Sequence, residues 1–110
     1  MKVLNQTKRT LISNNVIMPK SLIDQSLGMI KYKTPQAMLL TTRFGIHTLF
    51  MRYAIDVLIL DGANKVVYLR ENLTPNEHFL WNPKYNKVLE VPSGVIKQSK
   101  TKKGDQLVLT

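Results

Sequence analysis

His47 to Asp61 reads His-Thr-Leu-Phe-Met-Arg-Tyr-Ala-Ile-Asp-Val-Leu-Ile-Leu-Asp, two apolar runs joined by a short polar break. The second run, Ala54 to Leu60, has strand composition: it is short and rich in branched aliphatic residues. Asp61-Gly62-Ala63-Asn64 follows as a turn, and Lys65 to Leu69 supplies a return strand, so Ala54 to Leu69 reads as a hairpin. Successive side chains on a strand point to opposite faces. Ala54, Asp56, Leu58 and Leu60 therefore share one face, and Ile55, Val57 and Ile59 share the other. Both faces are apolar, which predicts a strand buried on both sides. Asp56 then interrupts a core face, where an ionised carboxylate is costly unless a partner meets it. Arg52 and His47 lie close by in sequence.

Outward from this hairpin the β signals continue. Ala37 to Thr42 and Thr48 to Met51 read as strands before it, and His78 to Trp81 and Lys87 to Val91 as strands after it, separated by the turn-like Asn82-Pro83-Lys84. Glu71 to Asn76 reads as a loop around Pro75. Lys2 to Gln6 is a candidate opening strand. Thr10 to Met18 is ambiguous, because its β-branched residues favour a strand and Asn14-Asn15 a turn. Pro19 to Gly28 reads as a short helix: Pro19 suits a first turn, Leu22, Ile23 and Leu27 keep helical spacing, and Gly28 fits the stop. Pro92 to Gln98 has room for one helical turn. Gly104-Asp105 is a tight turn that launches a last strand, Gln106 to Leu109. The predicted fold is mainly β with one or two short helices (α+β), as a small barrel-like or rolled antiparallel or mixed sheet. Closure is a common protection for sheet edges.

The totals narrow the function. At 110 residues the chain is expected to form a single domain, 1–110, large enough to bury roughly two-thirds of its unfolded surface. Its 44% apolar content fits a globular protein, and no apolar run approaches the ~18 residues of a membrane span. The first ten residues lack the apolar segment of a secretory signal, so a cytoplasmic location is expected. The absence of cysteine removes disulfides, thiolate metal sites and thiol nucleophiles. Two histidines, His47 and His78, are too few for a zinc site unless carboxylates complete the shell, so no metal or cofactor is expected. Neither a phosphate-cradling glycine loop nor a Gly-x-Ser-x-Gly elbow is present. The net charge of +9, from 16 basic and 7 acidic residues, attracts nucleic acid, acidic partners or anionic lipid. That charge is spread along the chain and is locally dense only near Lys97, Lys100, Lys102 and Lys103.

Several segments together resemble the domain-of-unknown-function 192 family, in particular its archaeal-type members. They are, in order, Gly28-Met29-Ile30, Ala37 to Leu40, Gly45 to Met51, Ile55 to Asp61, Lys65-Val66-Val67, Leu73-Thr74-Pro75, Val88 to Gly94 and Gly104-Asp105. The similarity runs from about Leu22 to Leu109, and its specificity lies in order and spacing. The resemblance implies a compact β-rich fold with short helices, often one domain per chain. It carries over no catalytic residue, because the family's biochemical role is not established. Gln25 stands where the family often has an arginine, three residues before its glycine, which puts any ligand relying on that arginine in question. Phe50-Met51 lacks the tryptophan that many members place before the methionine.

Glu90 poses the same problem as Asp56, since it lies between Leu89 and Val91 in an apolar strand. Three readings of these acids, with Arg43, Arg52 and His47 at hand, stand side by side. In the structural one, each carboxylate pairs with an arginine or caps backbone amides. In the second, His47, Arg52, Asp56 and Glu90 line a small pocket for a polar or anionic ligand, with arginine's planar fork holding the anion. In the third, the two carboxylates divide acid and base roles in an enzyme. A separate alternative is nucleic-acid binding, with Trp81 and Tyr85 as a stacking platform beside Lys84 and Lys87. Trp81 and Tyr85 also read as a staple for the turn between them. The leading expectation is a binding or accessory domain with a small polar pocket.

Overall fold

The computed structural model describes residues 1–19, 36–43, 45–47 and 53–110. In chain order the elements are β1 (Val3–Asn5), β2 (Thr10–Ser13), β3 (Met38–Thr41), β4 (Ile46–His47), β5 (Ile55–Leu60), β6 (Val66–Leu73), β7 (His78–Phe79), β8 (Lys87–Pro92), α1 (Val95–Gln98) and β9 (Leu107–Leu109). The expected helix over Pro19 to Gly28 (apart from Pro19), the expected strand over Thr48 to Met51, and Arg52 lie outside the described residues.

A four-stranded sheet in the order β3-β8-β5-β6 forms the centre, with every strand antiparallel to its neighbours. β5 lies between β8 and β6, and all six of its residues are buried. Leu58 and Leu60 pack with Leu39, Leu89, Val91, Ile96, Leu107 and Val3. Ile55, Val57 and Ile59 pack on the opposite side with Met38, Leu40, Val88 and Leu73. The alternation read from the hairpin is therefore the division between two cores. Burying the five aliphatic side chains of β5 contributes on the order of 10 kcal/mol, before the entropy of ordering the chain.

Each core has its own cover. The three-stranded sheet β2-β1-β9 and α1 close the first. The second is covered by the β4-β7 ribbon through Ile46 and Phe79, and by Ile17, Tyr53, Trp81 and Tyr85.

No sheet closes into a barrel among the described residues. Among the described residues the central ladder ends at β3 and β6, and the two larger sheets are tied by isolated bridges rather than continuous pairing. Ile17 bridges Met38 in parallel, and Lys65 bridges Gln106 antiparallel. Such bridges shield the edges of an open sheet without supplying the staggered ladder that closure requires.

β6 is also longer than its composition suggests, for it runs through Glu71 and Asn72 to Leu73. Ile55 faces Leu73 while Val57 faces Arg70, so β6 carries an extra residue there. This bulge places Asn72 at φ 52°, a left-handed conformation that asparagine tolerates better than most residues. The bend returns Leu73 to the core, where it is fully buried.

Candidate functional site

Asp56 is fully buried, and its partners are backbone amides. Oδ1 accepts from Asn72 N–H at 2.8 Å, and Oδ2 accepts from Gly94 N–H and Ile96 N–H, each at 3.0 Å. Local geometry explains all three donors. The bulge in β6 turns Asn72 N–H out of the ladder. Gly94, at φ 98°, reverses the chain into α1 and offers no capping side chain. Helix starts leave their first amides without intrahelical partners, and a carboxylate suits that end. Asp56 thus caps a helix and a bulge at once, which matches the structural alternative in which the acid caps amides.

Glu90 has another environment. In the ladder Asp56 faces Val91, and Val57 faces Glu90. Directly opposed residues share a face, so the two acids point to opposite sides of the sheet. Asp56 lies in the first core, and Glu90 lies with Val57 and Met38 in the second. They cannot divide acid and base roles over one substrate. Glu90 is only 5% exposed, and among the described residues no buried side-chain oxygen is left without a hydrogen-bond partner. Burial pushes its pKa up to about 7, so near neutral pH it is present in both protonation states. Tyr53 packs against the same core, and its phenol pKa is raised, first by burial and second by the nearby Glu90 charge. Tyr53 carried no signal in the sequence beyond its nearness to Asp56. The β5-β8 register is what brings it to Glu90.

His47 and His78 face each other across the β4-β7 ribbon, and Ile46 and Phe79 form the neighbouring pair. Ile46 and Phe79 pack on the core, so alternation turns both histidines the other way. His47 is not brought to either acid. Arg43 donates to the carbonyls of Pro83 and Lys84, at 3.0 and 3.3 Å. Trp81 donates its indole N–H to the Tyr85 carbonyl at 2.8 Å, and both rings pack against the second core, so they staple the turn between them. Lys84 lies 5.7 Å from the centroid of the Tyr85 ring. Lys87 is directed to the other face and donates to Asn64 Oδ1 at 2.6 Å. The proposed stacking group is therefore split across the sheet.

A third buried acid escaped the sequence reading, which took Asp105 for a turn residue. It accepts from Asn5 Nδ2 at 3.0 Å, Lys8 Nζ at 2.9 and 2.8 Å, and Lys102 N–H at 2.9 Å. Burial by itself raises its pKa, but the bonds from Asn5, Lys8 and Lys102, with the Lys8 charge, outweigh that and hold it below the usual carboxylate range. Asn5 also donates to Thr101 Oγ1 at 3.0 Å, and Thr101 and Ser99 share a 2.7 Å hydroxyl contact. The Gly104-Asp105 dipeptide gave no hint of this network, because the side chains that bind Asp105 lie about a hundred residues away.

Among the described residues no group of three or more potential metal ligands is assembled. No described helix is long and apolar enough to cross a membrane.

The chain belongs to the DUF192 family, described as uncharacterized ACR, whose model matches residues 6–109. No curated protein matches the sequence. Among solved structures, a protein of unknown function from Novosphingobium aromaticivorans DSM 12444 is similar, with a TM-score of 0.80 and 14% identity, over 99% of this chain and 84% of that one. A protein of Sinorhizobium meliloti 1021, described as a candidate transcription regulator, is similar with a TM-score of 0.77 and 16% identity, over 97% of this chain and 89% of that one. At these identities the likeness is one of fold.

Proposed function

We propose that this DUF192 domain is a non-catalytic binding or accessory protein whose small polar ligand is held at Glu90. The observation that carries the reading is the contrast between two equally hidden carboxylates. Asp56 is met by three amide donors, as a purely structural acid should be. Glu90 lies beside Tyr53 in an apolar, aromatic setting, where burial raises its pKa to about 7. A carboxyl poised between its two protonation states near neutral pH is suited to exchange a proton with a ligand. A protonated Glu90 donates to a ligand acceptor, and an ionised Glu90 pairs with a ligand amine. Of the residues grouped from sequence, Asp56 belongs to the scaffold in this reading and His47 is turned away. Nucleic-acid binding through Trp81, Tyr85, Lys84 and Lys87 has less support, because those side chains do not share a face.

The test is a thermal-shift screen of small polar metabolites against wild type and Glu90→Gln at pH 6 and pH 8. At least one compound should stabilise wild type with a pH-dependent shift that the variant loses. Equal shifts in both proteins, or none in either, would overturn the assignment. In parallel, a hydrophobic carbodiimide, which attacks protonated carboxyls in apolar surroundings, should label Glu90 ahead of Asp56.

A further inference from the structure

The lysine-dense segment of the sequence lines a groove in the fold. Its volume is about 760 Å³, and its lining includes Leu69, Ile96 and Tyr68 together with Lys97, Lys100, Lys102 and Lys103. Lys8 and Glu71 also border it. Lys8 is neutralised by Asp105 at 2.8 Å. None of the other four lysines is paired with a carboxylate among the described residues.

The segment from 99 to 105 is built to present those charges. Ser99, Thr101 and Asp105 turn inward, at 2%, 4% and 5% exposure, and bind one another, Asn5 and Lys8. Thr10 Oγ1 adds a bond to the Ser99 carbonyl at 2.7 Å. Lys100, Lys102 and Lys103 are exposed between these anchors. Lys103 Nζ lies 5.3 Å from the centroid of the Tyr68 ring, within cation–π range. Lys100 stands where helix ends favour glycine. Its N–H bonds the Lys97 carbonyl, Thr101 N–H bonds the Ile96 carbonyl, and its φ is 58°. That left-handed position is strained for a lysine, and such strain gathers where a side chain serves binding.

We propose that this groove binds a small phosphorylated ligand of nucleotide size, with the phosphates on Lys97, Lys100, Lys102 and Lys103 and the flat apolar part against Leu69, Ile96 and Tyr68. The volume falls in the range of small-molecule sites. Lysine ammonium groups serve phosphate as point charges, without the geometry a carboxylate fork demands. A groove with one aromatic ring has a place for one base. Non-specific single-strand binders stack successive bases on several rings. The site does not involve Glu90, so it stands or falls independently of the function proposed above.

The test is titration calorimetry of the full chain with ATP, inorganic tripolyphosphate, adenosine and an oligo-dT, at low and moderate salt. ATP should bind more tightly than either tripolyphosphate or adenosine. The Lys100→Ala/Lys103→Ala double variant should lose at least tenfold in affinity, while Lys84→Ala, away from the groove, should match wild type. Lys100→Gly separates binding from folding: relief of the left-handed strain should raise its melting temperature while ATP affinity falls. Three results would overturn the proposal: no ATP binding at low salt, equal loss in Lys84→Ala, or oligo-dT binding more tightly than ATP.

Discussion

Replacing Asp56 with asparagine changes one atom and should cost much of the domain's stability. The carboxylate accepts three N–H bonds, at 2.8, 3.0 and 3.0 Å. An asparagine can aim its oxygen at Gly94 and Ile96 or at Asn72, but not at both. The better choice keeps the two bonds to the start of α1 and turns the amide NH₂ toward Asn72 N–H, donor against donor. Leaving one buried amide unsatisfied costs about 1–3 kcal/mol, and loss of the charge weakens the two retained bonds by about half. The sum is about 3–4 kcal/mol, against a total of roughly 5–15 kcal/mol for a domain of this kind. Asp56→Leu orphans all three donors and should be worse still, despite its better match to an apolar core. Urea unfolding measures this directly, with an unchanged slope and a lower midpoint. Amide exchange at Asn72, Gly94 and Ile96 should speed up first. A loss below about 1 kcal/mol for Asp56→Asn, or a leucine variant more stable than the asparagine one, would refute the capping account.

Glu90 gives stability a pH dependence of definite sign. Its folded pKa, raised to about 7 by burial, exceeds the ordinary 4.5, so the folded chain holds a proton that the unfolded chain releases. The contribution is full below pH ~4.5 and falls as pH rises through ~7, by about 3 kcal/mol in total. Melting temperatures from pH 5 to pH 8 should show this decline in wild type and a flatter profile in Glu90→Gln; parallel profiles would exclude it. Gly45 has φ 85°, and a Cβ there would stand 2.9 Å from the Phe79 carbonyl and strike the Leu80 side chain. Gly45→Ala should cost about 1–2 kcal/mol in backbone strain and loosen the β4-β7 ribbon, seen as faster amide exchange at Phe79. Wild-type exchange in that variant would show that the ribbon absorbs the change.

Much of the β framework was legible because its cues are local. The Asp61 to Asn64 turn, the run from Ile55 to Leu60 and the Gly104-Asp105 turn all lie where residue preference and alternation place them. The extension of β6 was not legible, since Glu71-Asn72 has loop composition and the bulge exists to return Leu73 to the core. The open sheet was not legible either. Strand composition says nothing about whether the last strand meets the first, and here isolated bridges stand in place of a ladder.

Alternation along β5 told from the residues alone that Asp56 would enter a core and would need a proton donor there. Which donors answer is a matter of chain path: a bulge sixteen residues on and a helix start about forty residues on bring main-chain amides, which carry no side-chain signature. The antiparallel register of β5 and β8 likewise decides that Glu90 faces Tyr53 and turns its back on Asp56. The cluster of lysines was visible as charge, but Tyr68, Leu69 and Lys8 join it only in the folded chain. Local sequence sets which groups are costly to bury; long-range pairing sets what meets them, because a one-residue shift in register sends every side chain to the other face.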